Sequence, residues 1–150
     1  MRIHHSLALT ALLLSGTAVV HAQQSQAQQS QAQQAHQGHG APAPIVKPIM
    51  TKALPDYPDK EGLILTVDYP PGGSSPIHHH DAHAFVYVIE GSVVMAVQGG
   101  KEVTLSAGQS WSEAPGDVHT VSRNASNDKP AKFVVFMLKD AGKPAVIPGT

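Results

Sequence analysis

Cysteine is absent from all 150 residues of this chain. Its absence excludes disulfide stapling, thiolate catalysis, haem attachment through Cys, and every zinc or iron–sulfur site built on sulfur. A basic stripe is missing as well. Ten Lys and Arg stand against eleven Asp and Glu for a net charge of −1, which argues against nucleic acid as a partner. The sequence holds no Ser-His-Asp arrangement in a plausible local context, no glycine loop shaped for phosphate and no dinucleotide fingerprint. Beyond the first 22 residues, no window of ten or more carries a 3.6-residue apolar period, so an all-β domain is expected rather than a helical one.

The first 22 residues read as a secretory signal peptide. Arg2 gives a positive start, Leu7 to Val20 is a mostly apolar run, and Val20-His21-Ala22 supplies small residues for cleavage before Gln23. The run is shorter than the roughly 18 to 20 residues of a membrane anchor, so no membrane association is expected after cleavage. No Cys follows it for lipid attachment. Loss of Arg2 leaves nine basic against eleven acidic side chains, a net charge of −2. The expected destination is the periplasm or the medium. Residues 23–44 are rich in Gln, Ala and Ser, with Gln-Gln-Ser-Gln-Ala repeated, and almost nothing there can build a core. We read them as a disordered linker in which His36 and His39 are incidental imidazoles.

Residues 45–150 are the candidate folded domain. Short runs rich in Val, Ile, Phe, Tyr and Thr are broken by Gly, Pro, Asn and Asp. The expected strands are Leu63–Tyr69, Ala84–Ile89, Ser92–Gln98, Glu102–Leu105, Ser110–Glu113, Thr120–Arg123 and Lys132–Leu138. Gly99-Gly100 marks a tight hairpin, Glu90-Gly91 a hairpin corner, and Ser126 to Pro130 a surface turn. Such closely spaced strands argue for a sandwich or barrel. A domain this small buries only modest apolar surface, and a homodimer, paired through an edge strand, would supplement it.

Five histidines fall in this domain: His78, His79, His80 and His83 together, and His119 about forty residues on. Residues i and i+2 on a strand share a face, so His78 and His80 can point inward together while His79 points to solvent. If the strand that starts near His119 lies beside theirs, three imidazoles converge on one point. That is the arrangement a metal ion needs.

At these residues the chain resembles the cupins. The family's first motif runs Pro-Gly, five residues, His-x-His, three or four residues, Glu, six residues, Gly. Pro71-Gly72, His78, His80 and Gly91 match it. The second runs Gly, five residues, Pro-x-Gly, two residues, His, three residues, Asn, and Gly108, Gly116 and His119 match that. The resemblance spans about Leu63 to Leu138 and implies a double-stranded β-helix, or jelly-roll, barrel. It also implies a divalent metal held by His78, His80 and His119. Three positions depart from the pattern. Ala84 occupies the glutamate position, Ala114 the proline position with Pro115 one later, and Asn124 comes one residue late.

The vacancy at Ala84 leaves two candidates for a fourth ligand. Glu113, the only acid in its strand, is preferred; His83 stays open, although alternation aims it away unless the loop after His80 absorbs a residue. Imidazole and carboxylate ligands suit Mn, Fe, Ni, Cu or Zn alike. Export weighs against Fe(II), which is hard to keep reduced outside the cytoplasm, and so favours Zn or Mn. The resemblance implies one of three roles: a metal-dependent enzyme of the dioxygenase, isomerase or lyase type on a small molecule, a non-catalytic metal- or ligand-binding module, or a structural barrel with a vestigial site. Trp111, Phe85, Phe133 and Phe136 read as core or interface. Tyr87 is a weaker candidate for touching a bound molecule, since it can face either side.

Overall fold

The computed structural model describes residues 40–149. The expected signal peptide, the expected linker as far as residue 39, and with it His36 and His39, lie outside the described residues. Ten strands form: β1 Ile45–Ala53, β2 Lys60–Tyr69, β3 His78–His79, β4 Ala82–Glu90, β5 Ser92–Val97, β6 Val103–Ser106, β7 Ser110–Glu113, β8 Val118–Asn124, β9 Ala131–Asp140 and β10 Ile147–Pro148. They make two antiparallel five-stranded sheets, ordered β1-β2-β9-β4-β7 and β10-β3-β8-β5-β6. Most connections pass from one sheet to the other, which winds the pair into the jelly roll expected from the motifs.

Strand alternation builds the interior. In β2 the buried row is Leu63, Leu65, Val67 and Tyr69; in β9 it is Ala131, Phe133, Val135 and Met137. Registers carry these rows across the sheet, so that Leu65 faces Val135, Val135 faces Val86, and Val86 faces Trp111. The next row runs Leu63, Met137, Ala84 and Glu113. Val93, Met95 and Leu105 close the core from the opposite sheet. The inward row of β9 ends on buried Lys139, whose ammonium is bonded to the Glu61 carboxylate and the Asp140 carbonyl.

All seven expected strands form, with ends moved by at most three residues. Three others were not expected. β1 is an edge strand whose nine residues are all exposed, and its register slips between Pro48 and Met50. Proline cannot donate to a ladder and is confined to such edges, which is why this segment does not read as a strand. β3 and β10 are two residues each, too short for any period to declare them.

The end of β8 is clasped by Asn124. Its buried amide donates to the carbonyls of Pro70 at 3.0 Å and Lys129 at 2.8 Å, and its oxygen accepts the Ser126 N–H at 2.9 Å. This side chain ties two loops to one strand end, a structural role for a residue one place late in the motif. On the outer face of the first sheet Phe85 and Phe136 stack with centroids 6.1 Å apart, half exposed beside Tyr87 and Ile89.

Candidate metal centre

Backbone hydrogen bonds bring the two histidine segments together. The loop before His78 is stitched to β8 by Ser75 N–H donating to the Ser122 carbonyl at 2.9 Å. β3 then pairs with β8 so that His78 lies directly opposite His119. The turn at Pro115-Gly116 is fastened from the other side, because Gly116 N–H donates to the His80 carbonyl at 2.9 Å. His78, His80 and His119 thereby offer ring nitrogens within 4.8 Å of one another. The His78 and His119 rings stack in parallel with centroids 4.8 Å apart, and His80 meets His78 edge-on at 4.9 Å.

Two tautomers follow from the partners. His78 Nδ1 lies 2.8 Å from the Pro76 carbonyl, and His80 Nδ1 contacts the Ala145 carbonyl. A carbonyl only accepts, so both Nδ1 atoms carry a hydrogen, which in a neutral ring leaves the lone pair on Nε2. Burial holds the His78 imidazole below its ordinary value; the nearby His119 and His80 rings push the same way, against the Pro76 carbonyl and Glu113. His78 is therefore neutral at pH 7, the state that binds a metal.

Glu113 reaches the same point from β7. Alternation turns Trp111 and Glu113 inward, and the Glu113 side chain is only 2% exposed. Its Oε2 lies 2.6 Å from His119 Nε2, and its Oε1 lies 3.9 Å from His80 Nε2. Despite that short distance, Oε2 has no hydrogen-bond partner, and neither has His119 Nδ1. A buried carboxylate oxygen without a bonded hydrogen is costly. Ligand bonds of roughly 2.0–2.2 Å to one ion separate adjacent donor atoms by about 3 to 3.5 Å, which lies between the 2.6 Å and 3.9 Å separating the carboxylate oxygens from His119 and His80. The donors thus fit a divalent ion better than they fit one another.

The register explains where the carboxylate comes from. Ala84, at the vacant glutamate position, is fully buried and is the direct cross-strand partner of Glu113. The acid has moved one strand sideways, and the methyl group of Ala84 leaves it room. His79 is half-buried and not among the converging imidazoles. His83 is exposed on the outer face of β4, opposite Leu138, away from the cluster.

These donors sit in the wall of a cavity of about 230 Å³ between the sheets. Its walls include Leu65, Val67, Val86, Met95, Phe133 and Val135, and exposed Val46, Ile77 and Val146 form an apolar rim. One polar group in the wall was not anticipated. Tyr69 hydroxyl lies 2.7 Å from Ser75 Oγ and 2.8 Å from Ser122 Oγ. Tyr69 was legible as the inward end of the row Leu63, Leu65, Val67. Ser122 was not, because it is three residues from His119 and simple alternation would turn it outward. A bulge at Thr120, where Ala96 pairs with Val121 and Val97 with His119, restores it to the inner face.

None of the curated proteins matches this sequence. Solved structures similar to it include a protein with a double-stranded β-helix domain from Klebsiella pneumoniae (20% identity, 75% of this chain and 89% of that one, TM-score 0.56). A cupin domain from Bordetella pertussis is similar at 21% identity, over 68% of this chain and 99% of that one, with a TM-score of 0.55. A polyketide cyclase from Streptomyces resistomycificus is similar at 21% identity, over 76% of each chain, with a TM-score of 0.56. At these identities the likeness shows the fold alone. The family model described as "Cupin domain" matches residues 65–137, and this stretch, which runs from β2 through both histidine segments into β9, is a cupin domain.

Proposed function

We propose that this protein binds one divalent metal ion through His78, His80, His119 and Glu113 and acts on a small molecule in the adjoining cavity. The observation that carries the reading is the buried Glu113 carboxylate, which stands 2.6 Å from His119 Nε2 and 3.9 Å from His80 Nε2 while its Oε2 makes no well-formed hydrogen bond. The set is three nitrogens and one oxygen, without sulfur, which suits Mn, Fe, Ni, Cu or Zn; export favours Zn or Mn. When bound, the ion would supply Lewis acidity or a redox centre beside the cavity. The apolar walls exclude water, and the carbonyls of Pro76 and Ala145 hold two of the imidazoles in the ligating tautomer.

A second reading, non-catalytic capture of a metal or small ligand, rests on a different observation. The titratable groups on the cavity wall are the four proposed ligands and Tyr69. Burial pushes the Tyr69 hydroxyl above its ordinary value, so it is a poor proton donor at neutral pH. Recovery of a bound molecule chemically unchanged after prolonged incubation favours capture; a changed NMR spectrum favours an enzyme, with a mass change for a dioxygenase or lyase and none for an isomerase.

The chain's single tryptophan reports on the site. The Trp111 ring packs edge-on against His119 with centroids 5.1 Å apart. Adding Cu(II) or Co(II) to metal-free protein should quench its fluorescence at a stoichiometry of one. The affinity should fall as the solution is acidified. Protonation then competes for the imidazoles, and each displaced proton costs up to about tenfold per pH unit. Burial, which holds the His78 imidazole below its ordinary value, keeps that ring available to the ion at lower pH. Quenching that persists in the triple variant His78→Ala, His80→Ala, His119→Ala would sink the reading.

The protein is further proposed to be exported to the periplasm or the medium and to form a homodimer. The signal-like first 22 residues support export; the exposed edge strand β1 and the stacked Phe85–Phe136 face support a second copy as partner. Intact mass and light scattering of protein expressed from the full chain check both. A mature chain starting at Gln23 and a particle of twice its mass are expected; retained Met1 or a monomer overturns the corresponding part.

A further inference from the structure

The cavity wall carries no cationic side chain: among the described residues lining it there is neither Lys nor Arg. Three neutral imidazoles, one carboxylate and one divalent ion would leave the centre with a single positive charge. One anionic donor atom neutralises that charge. A second anionic group on the same molecule would lie among Leu65, Val67, Val86, Phe133 and Val135 with no counter-charge.

Size gives a further limit. A cavity of roughly 150 Å³ accommodates benzene, so 230 Å³ takes a body of about nine or ten non-hydrogen atoms. The Tyr69 group adds a direction. Ser122 is 7% exposed, and its hydroxyl donates to the thioether of Met95 at 3.5 Å, a weak acceptor. Tyr69 can satisfy its own hydrogen on the Ser122 carbonyl at 3.1 Å. The Tyr69 oxygen is then free to accept the Ser122 hydroxyl at 2.8 Å, and with Ser75 Oγ at 2.7 Å the three hydroxyls form a linked polar patch, with lone pairs to spare, on an otherwise apolar wall.

Resting on the metal reading above, we infer that the cavity takes a monoanionic, apolar-bodied molecule of this size. It meets the metal through one oxygen and places one neutral polar group against Ser122 and Tyr69. A monocyclic aromatic acid or phenol fits this description; a dicarboxylate does not.

Cobalt-loaded protein tests the inference, with the visible absorption of Co(II) as readout and three probes of related shape. 4-Hydroxybenzoate and 4-methylbenzoate differ only in hydroxyl against methyl, and trans,trans-hexa-2,4-dienedioate, a planar molecule with about the same number of non-hydrogen atoms, carries a second charge. Both monoanions should perturb the cobalt spectrum, the hydroxy compound several-fold more tightly, and the dianion at least tenfold more weakly than the methyl compound. Ser122→Ala should erase the difference between the two monoanions, and its ligand-free cobalt spectrum reports whether its fold is intact. Failure of cobalt to bind overturns the metal centre and this inference with it. Bound cobalt with no response to either monoanion, equal binding of the dianion, or equal binding of the two monoanions to the wild type overturns the inference and leaves the metal centre standing.

Discussion

Glu113→Ala should weaken cobalt or zinc binding by roughly 100-fold or more, and Ala84→Glu introduced into that variant should recover at least tenfold of it. Loss of a residue that merely supports a ligand costs about 10- to 100-fold, so loss of a ligand itself should reach or pass the top of that range. The rescue follows from register. Ala84 and Glu113 are directly opposed on β4 and β7, and both side chains point into the barrel. Their Cβ atoms are about 5 Å apart, so a carboxylate placed on either strand can reach the same three imidazoles. Removing Glu113 also vacates the volume that a glutamate at 84 requires. His83→Ala provides the control: its imidazole lies on the outer face of β4, so metal affinity should not change. Isothermal titration of the three variants beside the wild type decides the matter. Wild-type affinity in Glu113→Ala would remove the carboxylate from the site. A folded Ala84→Glu, Glu113→Ala protein that binds no better than Glu113→Ala would show that the two positions are not equivalent.

The same pair shows what the amino-acid sequence makes legible. Spacing alone identifies His78, His80 and His119, because the two motifs are local and each histidine has a fixed offset from a glycine or proline. That the carboxylate reappears at 113 depends on β4 pairing with β7, a contact between residues 29 apart in the chain that no local pattern encodes. Glu113 is nonetheless the lone acid of its strand, and alternation aims His83 away from His78 and His80, which is what favours Glu113 over His83. Ser122 marks the limit of such reasoning. One extra residue at Thr120 inverts the facing of everything after it, and nothing in Val118-His119-Thr120-Val121-Ser122 announces a bulge. β1 fails for a different reason: its nine residues are exposed, so no inward apolar row had to form, and Pro48 breaks what pattern remains.

Gly91→Ala should be the most destabilising single substitution of a glycine in the domain, by about 3 kcal/mol or more, whereas Gly99→Ala should cost only about 1–2 kcal/mol. Both glycines have left-handed backbone, with φ of 70° at Gly91 and 77° at Gly99. On conformation alone the two substitutions would cost the same. Their surroundings differ. A methyl group at 99 would meet nothing within 4 Å, whereas one at 91 would stand 2.5 Å from the Pro130 carbonyl oxygen and 2.9 Å from the Ala131 Cα. Those are backbone atoms at the start of β9, where the chain is also held by Asn124 through Lys129, so they have little freedom to retreat. The glycine that closes the first cupin motif is thus required twice, for its φ and for the passage of a neighbouring chain. Urea unfolding of the two variants separates these causes. Equal losses would mean that φ strain alone sets the cost at residue 91. A larger loss at 91, with an unchanged slope in urea, assigns the excess to the contact with Pro130 and Ala131.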